Sequence, residues 1–206
     1  MKESEGIERI ALFSDAVFAI SITLLSLDLM IPQDLPEAEV STKLRELWPG
    51  YEAFAFTFLL IGLRWLTHHV QFRFIKYYDD TLLGVNLALL AVVAFLPFAS
   101  RVLADYPDSR SANALYLGSM AFAGLVSTLL WVHACWIGHL IEDQRLTTAA
   151  RLNLLGRWIT LPILFGIALI FIFTFASLWP ARVVALVTPI VQIVIATRFR
   201  PKSLQV

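Results

Sequence analysis

The chain has 206 residues with 16 basic and 16 acidic side chains, and 58% of its residues are hydrophobic. Soluble domains are about 45 to 50% apolar, so this composition and a mean hydropathy of +0.73 predict an integral membrane protein. The balanced charge provides no basic field for nucleic acid, and the single cysteine forms no disulfide framework within one chain. Because the sequence carries no hydrolytic triad, phosphate-binding loop or metal-ligand motif, we expect neither an enzyme nor a resident metal or cofactor.

Six apolar segments follow one another along the chain, separated by polar stretches. None of them alternates with a period of two, which excludes a transmembrane barrel and predicts an all-helical bundle. We therefore expect residues 1–206 to form one domain of six transmembrane helices. The segments are residues 9–30, 48–74, 82–103, 114–141, 151–179 and 181–197.

Lys and Arg residues are about twice as frequent on the side of the membrane that carries both termini as on the other side. Cytoplasmic loops are enriched in positive residues, so both termini are expected in the cytoplasm.

The first segment contains an ionisable residue, Asp15, where lipid disfavours a charge. Such a residue costs a few kcal/mol and normally faces protein or water. Three other polar positions lie at the same depth, about 8 to 9 Å inside the membrane boundary. They are Ser14 beside it, His68 or His69 on the second segment, and Asn86 on the third. We expect this group to bond the helices together; the alternative is a proton relay, since a histidine near a carboxylate titrates near physiological pH.

A second pattern in the first segment is a narrow apolar stripe. On a helical wheel at about 100° per residue, Ile20, Thr23 and Leu27 fall within about 60° of one another, whereas Ser14 and Asp15 point away from them. On pattern alone, such a stripe is usually a helix-packing face.

Arg9 and the run Phe13, Ser14 and Asp15, followed by the letters AVFAISITLL, resemble the first-helix signature of the transmembrane protein 175 family of potassium channels. The second segment, with Trp65, His68 and His69, and the third segment, with Asn86, fit the same pattern as polar partners between helices. The resemblance extends over all six segments and is most specific in the first.

The resemblance implies an ion channel of the bacterial type, with one set of six helices per chain, in the cell membrane. It implies a homotetramer in the lipid bilayer, in which four copies of the first helix line a central pore for monovalent cations. The sequence contains no TVGYG-like filter, which agrees with this family. Potassium would then be the permeant ion, with moderate preference over sodium.

The resemblance also implies roles for single positions. Ile20 matches the hydrophobic constriction, Thr23 the polar ring of the selectivity site, and Leu27 a further narrowing one turn outward. The helical wheel, rather than the resemblance, places Asp28 near the outer mouth, where it is either a residue that concentrates cations or a solvated residue at the helix end. Four residues of the signature are expected to be architectural: Arg9, Phe13, Ser14 and Asp15.

A second function class stays open on the residues alone. A proton-coupled carrier would use Asp15 and a neighbouring histidine to bind and release protons while the bundle alternates its access.

Overall fold

The computed structural model of the chain describes residues 2–141 and 146–198, but not the side chains of residues 2–4, 28 and 195–198. Within this part the chain is helical apart from its connections and one isolated bridge between Ile75 and Ile141. The helices are α1 (Lys2–Leu24), α2 (Glu37–Glu46), α3 (Trp48–Phe74), α4 (Asp80–Asp105), α5 (Arg110–Val132), α6 (Thr148–Thr174) and α7 (Trp179–Arg198).

Five of the described helices are long and apolar enough to cross a membrane: α1, α3, α4, α5 and α6. The apolar stretch of α7, Trp179–Val194, is shorter. The predicted all-helical membrane class is therefore confirmed, whereas only five of the six expected spans reach that length.

The long helices run alternately in opposite directions through one bundle. α5 packs between α4 and α6, α7 packs on α6, and α1 lies against α4 and α3. We call the end of the bundle where α1 begins the amino end, and the opposite end the far end. At the far end, the Arg110 guanidinium donates to the carbonyls of Ile172, Phe175 and Ala176, which satisfies the open end of α6.

Local sequence signals explain where three helices begin. The side chains of Asp79, Ser109 and Thr147 accept hydrogen bonds from backbone N–H groups at the starts of α4, α5 and α6. These caps satisfy donors that the first turn of a helix leaves open.

Several boundaries differ from the sequence expectation; the fifth segment, for example, was expected at residues 151–179, but α6 ends at Thr174. Three differences change the secondary structure itself. α1 begins at Lys2 and ends at Leu24, followed by a 3-10 turn, Leu25–Asp28, where one continuous helix over residues 9–30 was expected. The fourth segment was expected to run to residue 141, but α5 ends at Val132 and continues as a π-helical turn, His133–Ile137.

The third difference is α2, which lies in the stretch that the sequence analysis treated as a polar loop. It buries none of its residues, so it lacks the apolar face on which our prediction depended. Acidic Glu37 and Glu39 in its first turn and basic Lys43 and Arg45 in its last turn favour a helix through the helix dipole.

The tightest contact between α5 and α6 depends on a glycine. A Cβ added at Gly124 would lie 2.8 Å from Cδ and 3.0 Å from Cβ of Pro162, inside van der Waals contact. Pro162 has a rigid ring, so the two helices would have to separate. Gly118, six residues earlier on α5, has open space around its Cβ position.

We expect Gly124→Ala to destabilise the protein by about 1 to 3 kcal/mol through overpacking. Gly118→Ala is the matched control, because it makes the same change on the same helix without a steric conflict. Thermal unfolding of the two purified variants in detergent checks this. Equal melting temperatures would contradict the proposed close contact.

Candidate functional site

Helix α1 has one buried face and one exposed face. The buried side chains are at most 2% exposed and recur every three or four residues: Ser14, Phe18, Ser21 and Leu25. Phe18 and Leu25 belong to the main apolar core of the bundle. This face therefore holds α1 against α3 and α4.

The opposite face of α1 is left uncovered by the subunit. Phe13, Ile20 and Leu27 are 57%, 58% and 53% exposed, and Thr23 is exposed between the last two. Only 22% of the α1 span is buried, compared with 56% of the α5 span. The predicted stripe of Ile20, Thr23 and Leu27 thus lies on the free surface of the bundle.

The 3-10 turn changes the position of Leu27 on this face. A 3-10 turn advances about 120° per residue and an α-helix about 100°, so Leu27 lies about 60° from its position on the continuous wheel. Around the helix axis, Leu27 therefore lies closer in angle to Leu24, which is also exposed, than to Thr23. The backbone of Asp28 closes this turn, but its side chain lies outside the described part of the chain.

The hydroxyl of Thr23 has a defined orientation. Its Oγ1 donates to the carbonyl oxygen of Ile20, one turn earlier on the helix, at 2.8 Å. Because the single proton is used in this bond, the lone pairs of the oxygen stay available as acceptors on the exposed face. An oxygen with free lone pairs is the group that a monovalent cation needs.

Behind this surface, Asn86 joins three helices through its amide. Its Nδ2 donates to Ser14 Oγ on α1 at 3.0 Å. Its Oδ1 lies 2.9 Å from His68 Nε2 on α3, and an amide oxygen only accepts, so the histidine nitrogen is the donor. All three side chains are at most 3% exposed, and the His68 ring stacks on Phe72 at 4.3 Å.

Asp15 takes a different partner from the one that the sequence suggested. Its Oδ1 accepts a hydrogen bond of 2.7 Å from the indole Nε1 of Trp65 on α3. His69 is exposed, and its ring lies 5.8 Å from the ring of Trp65 on the same helix. The expected single cluster is therefore two adjacent contacts, one with Asn86 at its centre and one between Asp15 and Trp65.

The two cationic residues of this region have different surroundings. Arg9 is exposed and lines a groove of about 460 Å³ between α1 and α4, together with Phe13 and Tyr78. Arg64 is 5% exposed on α3, and no acceptor among the described residues bonds to its guanidinium. Within residues 2–141 and 146–198, no three His, Cys, Asp or Glu side chains come together as a metal site.

One contact at the amino end, between His133 and Asp79, is absent from the sites that the sequence analysis singled out. His133 Nε2 lies 2.8 Å from Asp79 Oδ2 and 3.0 Å from Oδ1. Burial alone would raise the pKa of Asp79, but hydrogen bonds from the Leu82 N–H and from His133, together with the charge of His133, hold it below its ordinary value. The two residues are 54 positions apart, so no spacing rule could pair them.

Comparison with known proteins identifies relatives of this chain. The family model of the endosomal/lysosomal potassium channel TMEM175 matches residues 9–97. A Streptomyces collinus protein named a potassium channel is 37% identical over 147 residues, which cover 69% of this chain and 71% of the relative.

Human TMEM175, named an endosomal/lysosomal proton channel, is 29% identical over 151 residues, covering 71% of this chain and 30% of the human protein. Among solved structures, a lysosomal potassium-selective channel TMEM175 homolog from Chamaesiphon minutus superposes with a TM-score of 0.78. It is 30% identical, and the match covers 94% of this chain and 99% of that one.

The family model begins at Arg9 and includes the Ser14, Asp15 and Asn86 positions, so the residues that bind α1 to its neighbours are those that carried the resemblance. Together with the bacterial relative and with the nearly complete structural match, this confirms that the chain belongs to the TMEM175 family.

Proposed function

We propose that four copies of this chain form a potassium-permeable channel in the bacterial plasma membrane, with α1 of each copy lining a central pore. The single observation that carries this proposal is the exposed stripe of α1, which lies opposite the polar contacts that fix the helix. An apolar helix with so little buried surface has room for identical neighbours around an axis. The bacterial relatives named potassium channels support the same function.

In this channel, α7 is the sixth span and both termini are cytoplasmic. α7 packs along α6, and Gln192 near its end donates to the carbonyl of Arg157 on α6 at 3.2 Å. An apolar helix in this position returns the chain to the amino end of the bundle. The excess of Lys and Arg at that end supports a cytoplasmic location.

Four Ile20 side chains around the axis form the hydrophobic constriction. A narrow apolar ring stops ions by excluding the water that hydrates them. Leu27, within the 3-10 turn, narrows the path a second time, and Asp28 lies toward the outer mouth.

Four Thr23 side chains form a polar ring next to this constriction. Each Oγ1 already donates its proton to Ile20, so the lone pairs face the path and replace part of the hydration shell of a cation. The ring carries no formal charge, and it therefore favours the more weakly hydrated potassium over sodium by a moderate factor. No resident cofactor takes part.

The polar contacts behind the pore hold α1 in position against α3 and α4. Ser14 and Asp15 bond to Asn86 and Trp65, respectively, and neither lies on the exposed stripe. Arg9 and Phe13 border the groove between α1 and α4 and complete this architectural group.

We expect Thr23→Ala to reduce the preference for potassium over sodium, because the substitution removes the four coordinating hydroxyls. Thr23→Ser retains the hydroxyl and should preserve the preference. Thr160→Ala is the matched control, since Thr160 on α6 also donates its hydroxyl to its own helix. Reversal potentials under bi-ionic conditions measure the preference, and an unchanged value in Thr23→Ala would refute the filter role.

We expect Ile20→Asn to raise the basal conductance, because a ring of four amides holds water where the isoleucine ring excludes it. Ile20→Leu keeps the ring apolar and should leave the current low. Unitary currents recorded in planar bilayers compare the three proteins. Equal currents in Ile20→Asn and the parent protein would show that Ile20 does not form the constriction.

A proton-coupled carrier is the second candidate function, because His68 is buried in the bundle one helix away from Asp15. The observed contacts support the carrier less than they support the channel. The His68 Nε2 proton is bonded to an amide oxygen, and Asp15 is bonded to an indole, and neither the amide nor the indole passes a proton on readily.

Substitutions at Asp15 separate the two functions. We expect Asp15→Ala to weaken assembly, because it leaves the Trp65 N–H without its acceptor, at a cost of about 1 to 2 kcal/mol. Asp15→Asn keeps an acceptor oxygen and should retain both assembly and potassium current. Size-exclusion chromatography and liposome flux check this; saturable proton-linked uptake that Asp15→Asn abolishes would favour the carrier instead.

A further inference from the structure

A cavity of about 230 Å³ lies at the far end of the bundle, among α3, α4, α5 and α7. A water molecule takes up about 30 Å³ in the liquid, so this space can hold a small organic molecule. Most of the cavity walls are apolar, and four polar side chains line it: Glu52, Asn113, Tyr116 and Arg182. What these four side chains offer determines which molecule fits.

Asn113 is the buried polar side chain of this cavity, with 5% of its surface exposed. Its Nδ2 donates to the carbonyl oxygens of Pro107 and Ser109, at 2.7 and 2.9 Å. These two bonds use both amide protons and identify the other atom as the oxygen. No described residue donates to this Oδ1. A buried acceptor needs a donor, so a ligand in the cavity should bring an N–H or O–H group.

The hydroxyl of Tyr116 has no proton to give to a ligand. Ser100 Oγ donates to the carbonyl of Ala53 at 3.4 Å, and Thr57 Oγ1 lies 2.9 Å from both Ser100 Oγ and the Tyr116 hydroxyl. Each hydroxyl has one proton, so Thr57 donates to Ser100 and Tyr116 donates to Thr57. The ring of Tyr116 and the ring of Phe56, 6.4 Å apart, provide an aromatic wall instead. Aromatic faces attract cations as well as apolar groups.

The two charged residues of the cavity differ in how their charges are compensated. Arg182 Nη2 donates to the carbonyl of Pro107 and to Asp108 Oδ1, the latter at 3.0 Å, so Asp108 balances the charge of the guanidinium. Glu52 accepts from the Trp48 indole through Oε1, at 2.8 Å, and forms no ion pair within the described part of the chain. The cavity therefore has one uncompensated negative charge, which Glu52 carries.

We propose that this cavity is a binding site for a small protonated alkylamine that enters from the aqueous phase at the far end. The ammonium group donates to Glu52 and to Asn113 Oδ1, and the alkyl group lies against the rings of Phe56 and Tyr116. An alkylammonium carries its charge at neutral pH, as the lysine side chain does. It supplies a charge opposite to that of Glu52, a donor for the unpaired oxygen and an apolar body for the walls.

The proposed site is separate from the proposed ion path. No residue of α1 is among the described residues that line the cavity. The cavity shares Pro49, Ala53 and Ala104 with a smaller cleft of about 130 Å³ that extends to Leu25. Binding of an amine is therefore measurable in a protein that passes no ions, and a failure of the channel proposal would not affect it.

The first test compares ligands of one size on the full chain in detergent, at fixed ionic strength. Because a ligand that binds the folded state stabilises it, n-butylammonium should raise the melting temperature in a concentration-dependent way. n-Butanol has the same chain without a charge, and butyrate has the opposite charge, so neither should do so. A rise with butyrate alone would make Arg182 the recognition group and overturn the proposal, and no rise with any ligand would also overturn it.

The second test addresses the hydrogen bond to Asn113 without changing the protein. Butyltrimethylammonium keeps the charge and the chain of n-butylammonium but has no N–H group. It should therefore bind more weakly than n-butylammonium in isothermal titration calorimetry. Equal affinities would contradict the bond to Oδ1.

The third test places the ligand in the cavity. Glu52→Gln removes the charge and keeps an oxygen for the Trp48 indole, and it should weaken n-butylammonium binding about tenfold. Glu46→Gln is the matched control, because Glu46 lines the neighbouring cleft but not this cavity. It should keep the wild-type affinity. Equal weakening in both variants, or weakening in Glu46→Gln alone, would overturn the site.

The last test separates a free amine from the ammonium of an ethanolamine lipid, which has the same chemistry. Titrations of n-butylammonium in nanodiscs of phosphatidylcholine, with and without phosphatidylethanolamine, should give the same affinity. Loss of binding in the discs that contain phosphatidylethanolamine would assign the cavity to the lipid and overturn the proposal of a free amine.

Discussion

The amide of Asn86 is the interaction on which the rest of the structure depends. In the interior of a membrane no water is available to replace a lost partner, so a buried polar group must find one in the protein. Asn86 donates one hydrogen bond to Ser14 and accepts one from His68, and these two bonds connect α1, α3 and α4 at a single point. Apolar packing in lipid has no direction of its own, and these bonds therefore fix the rotation of α1.

Fixing one face of α1 determines what the other face does. With Ser14, Phe18, Ser21 and Leu25 turned inward, Ile20 and Thr23 are placed on the free surface of the subunit. The residues that look chemically unusual thus position the helix, and the plainer residues face the proposed ion path. Tyr78, in the linker before α4, lies against Gly6 near the start of the same helix.

Much of the fold was readable from the sequence because lipid imposes strong rules on composition. The bounds of α3 were predicted without error, and the face of α1 that carries Ser14 was separated from the stripe by the helical period alone. α2 was missed because it is polar and its residues are not buried, and the 3-10 turn at Leu25–Asp28 was missed because nothing in its four residues distinguishes it from a continuing helix.

The sequence by itself determined the membrane class, the succession of apolar helices and the family, since each depends on composition, period or a local motif. The tertiary structure alone decided which partners meet: Trp65 with Asp15, His68 with Asn86, and Asp79 with His133. Residues at equal depth on neighbouring helices have several possible partners, and only the rotation and crossing of the packed helices selects among them.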